Sequence, residues 1–201
     1  MKSDKVRYFA LDIGNVCMKV QTEKCLAALG YSAITEVPLE FLDACRRLET
    51  GKITTEKWLE VYRTVTGGRF TDDELIHAWR LILGDEIPGI GDFLKELTEK
   101  GIRFIFFSDT SELHLDFVYR YLPSAVFVSG GIFSFEAGCQ KPDAGMYEAF
   151  EKKFGKPVFY TDDKPENIEA GLKRGWPSHQ FTSVEKLRKS FLSFSQECIL
   201  M

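Results

Sequence analysis

VRYFALDIGNV, residues 6–16, is the stretch from which the rest of the chain is read. Tyr8 to Leu11 form an apolar run that stops at Asp12. A run with no polar alternation suits a strand buried on both faces, and the spacing predicts one over 6–11. The pattern recurs four times. Ile102–Phe107 (IRFIFF) ends at Ser108, Ala125–Val128 is a weaker third strand, Val158–Thr161 ends at Asp162, and Ser178–Phe181 is a short fifth. Helical periods separate the later strands: Ile90, Phe93, Leu94 and Leu97 before Gly101; Met146, Phe150 and Phe154 before Gly155; Ile168 and Leu172 after Pro165. A glycine just past a periodic run is a helix stop. Strand–helix alternation predicts right-handed crossovers and an α/β, Rossmann-like, doubly wound parallel sheet.

Residues 17–85 break the alternation. No convincing strand is visible there. Leu42, Cys45 and Leu48/Glu49 mark one helix; Trp58, Leu59, Tyr62 and Val65 mark a second. Thr71 with Glu74 forms a capping box for a third, whose apolar side is Leu75, Trp79, Ile82 and Leu83. The expected organisation is an α/β core of residues 1–16 and 86–201, interrupted by a helical subdomain over 17–85.

Composition narrows the function classes. At about 150 residues per domain, 201 residues make one to one and a half domains. The balance of 44% hydrophobic to 28% charged residues excludes disordered, collagen-like and disulfide-knot chains. Lys and Arg number 26 against 30 Asp and Glu, a net charge of −4. With no cationic surplus to neutralise phosphates, a general nucleic-acid binder is not expected. Cysteines 17, 25, 45, 139 and 198 are odd in number and free of CxxC spacing, which points to reduced thiols in a cytoplasm. Lys2, Lys5 and Arg7 before an apolar run imitate an export signal, yet Asp12 ends the run after four residues. No stretch approaches the roughly 20 apolar residues that cross a bilayer, so no membrane association is expected.

Asp12, Ser108, Lys141 and the pair Asp162–Asp163 all follow predicted strands, on the sheet edge where open α/β folds bind ligands. Each has an ordinary reading too. A lone Asp after a strand is often structural, Lys141 before Pro142 suits a solvated loop, and Ser108 or Asp162–Asp163 could cap the helices that follow. Their order and placement together carry the argument.

That order resembles the haloacid dehalogenase-like hydrolases, most of which are phosphatases, over nearly the whole chain. LDIGNV matches D-x-D-x-T/V with Asp12 first; FIFFSDTSELH supplies a strand and then Ser108. GCQKPDAGMY matches G-x-x-K-P-D at Lys141, and FYTDDKPENIEAG matches DD-x-x-E-N at Asp162, Asp163 and Asn167. The resemblance implies that Asp12 attacks phosphorus to form an aspartyl-phosphate, splitting one hard step into two. It implies Mg²⁺, a hard ion that takes oxygen ligands, held by Asp12, the Gly14 carbonyl and Asp163, with Asp162 as a secondary ligand or acting through water. Lys141, Ser108 and N–H groups near Ile13 and Asp109 would hold the phosphoryl oxygens. It implies that the helical insert caps the site, that Trp58, Tyr62 and Trp79 are cap core, and that the substrate is a small phosphate ester. Arg46 and Arg47 would meet an anionic substrate or simply lie on an exposed helix.

Position 14 departs from the family. A second Asp usually stands there and protonates the leaving oxygen, work typically worth about 10²–10⁴-fold in rate; here it is Gly14. The DxGNV form resembles a subgroup that includes sugar-phosphate phosphatases and relatives of the epoxide hydrolase amino-terminal domain. Three outcomes are open: a substrate whose leaving group needs little protonation, a water or cap residue that relays the proton, or a weak enzyme that mostly binds. Asp109 reads as a substitute acid or a helix cap. His114 reads as a satisfied structural histidine before a proton carrier, and Cys17 as a small apolar residue. The rival activities are a 2-haloacid dehalogenase using the same Asp12, and a binding or regulatory protein that kept the fold.

Overall fold

The apolar runs become strands. The structure, a computed structural model, describes residues 6–199, with side chains to Phe194; Lys2, Lys5 and the Cys198 thiol lie outside the described residues. The chain opens with β1 (Arg7–Leu11) and β2 (Met18–Val20), then the helices α1 (Thr22–Ala28), α2 (Leu39–Glu49), α3 (Thr55–Val65) and α4 (Asp72–Arg80). There follow β3 (Leu83–Glu86), α5 (Ile90–Glu99), β4 (Ile102–Ser108), α6 (Glu112–Tyr121), β5 (Val128–Phe133), α7 (Ser134–Ala137) and α8 (Ala144–Phe154). The last elements are β6 (Phe159–Asp162), α9 (Pro165–Lys173), β7 (Ser178–Gln180) and α10 (Val184–Ile199). Among the described residues no helix is long and apolar enough to cross a membrane.

Five strands form one parallel sheet in the order β5-β4-β1-β6-β7, with β1 at its centre. Successive side chains of a strand face opposite ways, and both faces of this sheet are apolar. Phe9, Leu11, Phe104 and Phe106 join one buried cluster with Ile90, Phe93 and Leu94 of α5 and with Phe191 of α10. Ala10, Ile105, Phe107 and Tyr160 join the other with Met146, Tyr147 and Phe150 of α8 and with Trp176. The unbroken runs are therefore the mark of a three-layer core.

Helices α1–α4 pack around a cluster of their own, which holds Cys25, Phe41, Leu48, Trp58, Tyr62, Leu75 and Trp79. The capping box on α4 forms as its sequence predicts, with Thr71 and Glu74 each satisfying the other's backbone N–H. Buried Cys17 and Cys25 and partly buried Cys45 and Cys139 are free thiols.

The structure corrects three expectations. The third strand runs over Val128–Phe133, because Pro123 starts a 3₁₀ turn through Phe127 that takes up most of the run 125–128. Gly130 and Gly131 had thinned its apolar signal; the Phe133 ring lies where a side chain on Gly131 would stand, 2.1 Å from an added Cβ. Residues 17–85 do hold strands: β2 and β3 pair antiparallel where the chain leaves the sheet layer and returns to it, so Leu83 belongs to a strand and α4 stops at Arg80. Finally, α9 buries Asn167, Ile168 and Gly171 and leaves Leu172 exposed.

The end of α2 rests directly on the sheet layer. Gly51, at φ +63°, passes so close to α7 that an added Cβ would lie 2.1 Å from the Phe135 carbonyl oxygen. Gly30 has a similar φ of +82° with nothing within 4 Å. Left-handed backbone costs a residue with a Cβ about 1–2 kcal/mol. Gly30→Ala is therefore expected to lose about that much in urea unfolding, and Gly51→Ala clearly more, since backbone must also move. Equal losses would contradict the close contact.

Candidate active site

The three central strands carry their polar stops to one edge. Leu11 lies in register with Phe106 of β4 and Thr161 of β6, so Asp12, Ser108 and Asp162 emerge side by side. The Asp12 N–H donates to the Thr161 carbonyl at 3.1 Å, which fixes the chain at its exit from the sheet. Beyond it the chain folds back tightly: the N–H groups of Cys17 and Met18 both donate to the Ile13 carbonyl. Asn15 takes the left-handed conformation at φ 53°, which Asn tolerates better than most residues.

Lys141 reaches this edge from the loop between α7 and α8. Its Nζ donates to Asp12 Oδ1 at 2.9 Å, to the Phe107 carbonyl at 2.8 Å and to Asp162 Oδ2 at 2.5 Å. All three ammonium protons are thereby used. Burial alone would lower the Lys141 pKa, but Asp12, Asp162 and Asp109 around it raise it, so it stays charged. Burial would likewise raise Asp162, yet the Lys141 charge and its donors hold it below the ordinary carboxylate range. Asp12 goes the other way: burial, with Asp162 adding to it and Lys141 opposing, pushes it up to about 7.

The two adjacent aspartates differ in surroundings. Besides Lys141, Asp162 accepts from the Tyr160 hydroxyl at 2.7 Å, from the Lys164 N–H at 3.0 Å and from Asn167 Nδ2 at 3.0 Å. Four donors on two oxygens make it an anchor for Lys141 and for the start of α9. Asp163 is half-buried, and its Oδ2 accepts from Asn15 Nδ2 at 2.9 Å. Oxygens of Asp12, Asp162 and Asp163 lie within 4.8 Å of one another. Three carboxylates against one ammonium leave a surplus of negative charge on hard oxygen donors, which fits a divalent cation such as Mg²⁺. Asp12, Asp163 and the Gly14 carbonyl are the groups that would hold it, with Asp162 contributing indirectly.

Asp12, Gly14, Ser108, Asp109, Lys141 and Asp163 all line one cleft of about 370 Å³, together with Val20, Thr22, Glu49, Ile82 and Leu83. Ser108 is buried at its floor. The structure settles two of the alternatives left by the sequence. Ser111 caps α6, accepting from the His114 N–H, so neither Ser108 nor Asp109 is the cap. Asp109 Oδ1 instead accepts from the Lys141 N–H at 2.9 Å, holding the loop that delivers Lys141. Cys17 is buried and its thiol donates to the Asp12 carbonyl; burial pushes its pKa far up, so it is an unreactive packing group. Arg46 pairs with Asp43 on the surface, and neither it nor Arg47 lines the cleft. Asn15, Gln140, Glu49 and Tyr160 are the cleft residues and supports that sequence reading passed over.

His114 ties the helical insert to the sheet layer. Its ring stacks on Trp79, centroids 4.6 Å apart, and its Nε2–H donates to the Trp79 carbonyl at 2.9 Å. Burial, opposed by that hydrogen bond, pulls its pKa from 6.5 down to about 4. Folding thus favours the neutral ring. The resulting stability is complete above pH 6.5 and is lost as pH falls toward 4. Between about pH 7.5 and pH 5 the wild type should lose about 2 kcal/mol more than His114→Gln in chemical unfolding. Parallel pH dependences would contradict a buried neutral imidazole.

The chain matches the model of the haloacid dehalogenase-like hydrolases over residues 7–175. Among curated proteins none matches it in sequence. A HAD family enzyme from Bacteroides thetaiotaomicron, solved in complex with magnesium and inorganic phosphate, superposes with a TM-score of 0.76 at 21% identity, over 89% of this chain and 96% of that one. A predicted HAD-like family hydrolase from Porphyromonas gingivalis gives 0.74 at 21% identity, covering 90% and 93%. L-2-haloacid dehalogenase from Xanthobacter autotrophicus, with chloropropionic acid covalently bound, gives 0.63 at 14% identity, covering 94% and 83%.

Proposed function

Because the chain belongs to the haloacid dehalogenase-like hydrolase family, we propose that it is a Mg²⁺-dependent phosphatase that hydrolyses a small phosphorylated metabolite, a sugar phosphate by preference, through an aspartyl-phosphate on Asp12. The observation that carries this reading is Asp12 held by Lys141 beside Asp162 and Asp163 at the floor of a cleft sized for a small molecule. The Bacteroides relative holds magnesium and phosphate, which fits the same chemistry.

Asp12 is the nucleophile. Lys141 fixes one of its oxygens, and its charge, with a hydrogen bond from the Ser108 hydroxyl, stabilises the phosphoryl oxygens as charge shifts onto them. Asp162 and Asp109 position Lys141, one through its ammonium and the other through its backbone N–H. Asn15 joins the loop after β1 to Asp163, so the two acidic segments stay in register. When bound, the divalent cation supplies the positive charge that lets a carboxylate approach a phosphate dianion. Helices α1–α4 act as the cap of the cleft, and the substrate's remote end meets Val20 and Ile82. Net charge and cleft size favour a free metabolite over nucleic acid, and the free thiols suit a cytoplasmic setting.

The dehalogenase reading uses the same Asp12 on carbon and has no need of a divalent cation; the carboxylate cluster favours the phosphatase. A binding protein has no need of a buried carboxylate beside Lys141. A panel of phosphorylated metabolites with Mg²⁺ should yield turnover that EDTA abolishes and that Asp12→Asn lowers by at least about 10⁴-fold. Hydrolysis that survives chelation, or release of chloride from 2-chloropropionate in its place, would overturn the assignment.

A further inference from the structure

Glu49 has no task in the reaction as drawn. It is the last residue of α2, it lines the same cleft as Asp12, and one oxygen, Oε2, accepts from Gln140 Nε2 at 3.2 Å. Gln140 is joined directly to Lys141, so the residue that steadies Glu49 is tied to the one that holds the nucleophile. The close passage of Gly51 over the Phe135 carbonyl sets this end of α2 against the sheet layer.

In-line displacement at phosphorus sends the leaving oxygen away from Asp12, out into the cleft that Glu49 also lines. On the floor, Gly14 offers no side chain to meet it. We propose that Glu49 is the general acid that protonates the leaving alkoxide, doing from the insert what a carboxyl at position 14 does elsewhere in the family.

The proposal rests on the phosphatase reading. In the first step the Asp12 oxygen–phosphorus bond forms as the ester P–O bond breaks, and the Glu49 proton passes to the ester oxygen, which leaves as an alcohol. In the second step Glu49, now a carboxylate, takes a proton from water as the water oxygen bonds phosphorus and the Asp12 oxygen–phosphorus bond breaks, releasing phosphate and restoring the Asp12 carboxylate and the protonated Glu49. The surroundings suit a proton-bearing Glu49. Burial favours its neutral form, Asp109 facing it adds to this, and the carbonyl end of α2 repels a negative charge. The Gln140 amide and the Lys164 ammonium oppose them, and on α2 itself the Cys45 thiol lies nearby; the balance is a pKa of about 7. An acid with that pKa is matched to neutral pH.

The test compares an alkyl phosphate with nitrophenyl phosphate, whose leaving group needs no proton, in wild type, Glu49→Gln and Glu49→Asp, all with Mg²⁺. Glu49→Gln should lower kcat/KM for the alkyl ester by about 10²–10⁴-fold and leave kcat/KM for the nitrophenyl ester, which reports only the first step, nearly unchanged; this also reports a folded site. Glu49→Asp should recover part of the loss. Wild-type kcat/KM for the alkyl ester should fall above about pH 7, a limb absent with nitrophenyl phosphate and absent in Glu49→Gln. Infrared difference spectra should show a protonated carboxyl titrating near neutrality in the wild type and missing from Glu49→Gln. An equal fall in kcat/KM for both esters, a rise in KM at constant kcat, or the same leaving-group selectivity from Asp109→Asn would overturn the assignment. A wild type that hydrolyses neither ester would instead remove the phosphatase reading, and the proposal with it.

Discussion

One buried ammonium organises this protein. Lys141 Nζ is shared by Asp12, Asp162 and the Phe107 carbonyl, and so joins three neighbouring strands at their carboxyl ends. Several kcal/mol oppose the burial of each such ion, and removing one partner of a buried pair typically costs about 3–5 kcal/mol. The arrangement therefore persists only because the remaining bonding positions are filled. Asp162 meets four donors, and Asp109 holds the Lys141 backbone. The same network that makes the charges tolerable gives Asp12 a fixed direction.

The charge balance also sets how the site responds to its contents. Asp12 is lifted toward neutrality while Asp162 is held down, although both touch the same lysine. Burial is the main influence on each, and the extra donors around Asp162 decide the difference. Asp12 is thus the less saturated of the two.

Much of this was legible from sequence, for a physical reason. Strands buried on both faces are written as plain apolar runs, so their polar stops at Asp12, Ser108 and Asp162 stand out. The capping box at Thr71 and Glu74 was equally plain, since both of its bonds are local. What was hidden depends on distant partners. Asn15 meets a residue 148 positions away and Gln140 one 91 positions away, and no local spacing encodes either pairing. Strand β5 was displaced in the reading because glycines needed under the Phe133 ring diluted its pattern. Strands β2 and β3 escaped because three or four residues, with Lys19, Val20 and Asp85 exposed, carry too little periodicity.

The β2–β3 pair has a consequence for ancestry. Because these strands are hydrogen-bonded neighbours, the outgoing and returning chains are separated by one strand spacing, about 5 Å. Any module whose termini match that gap can be spliced in without disturbing the carboxylate cluster at the sheet edge. Recombination thus has a seam at which the roof is exchanged as a unit while the network around Lys141 is inherited intact.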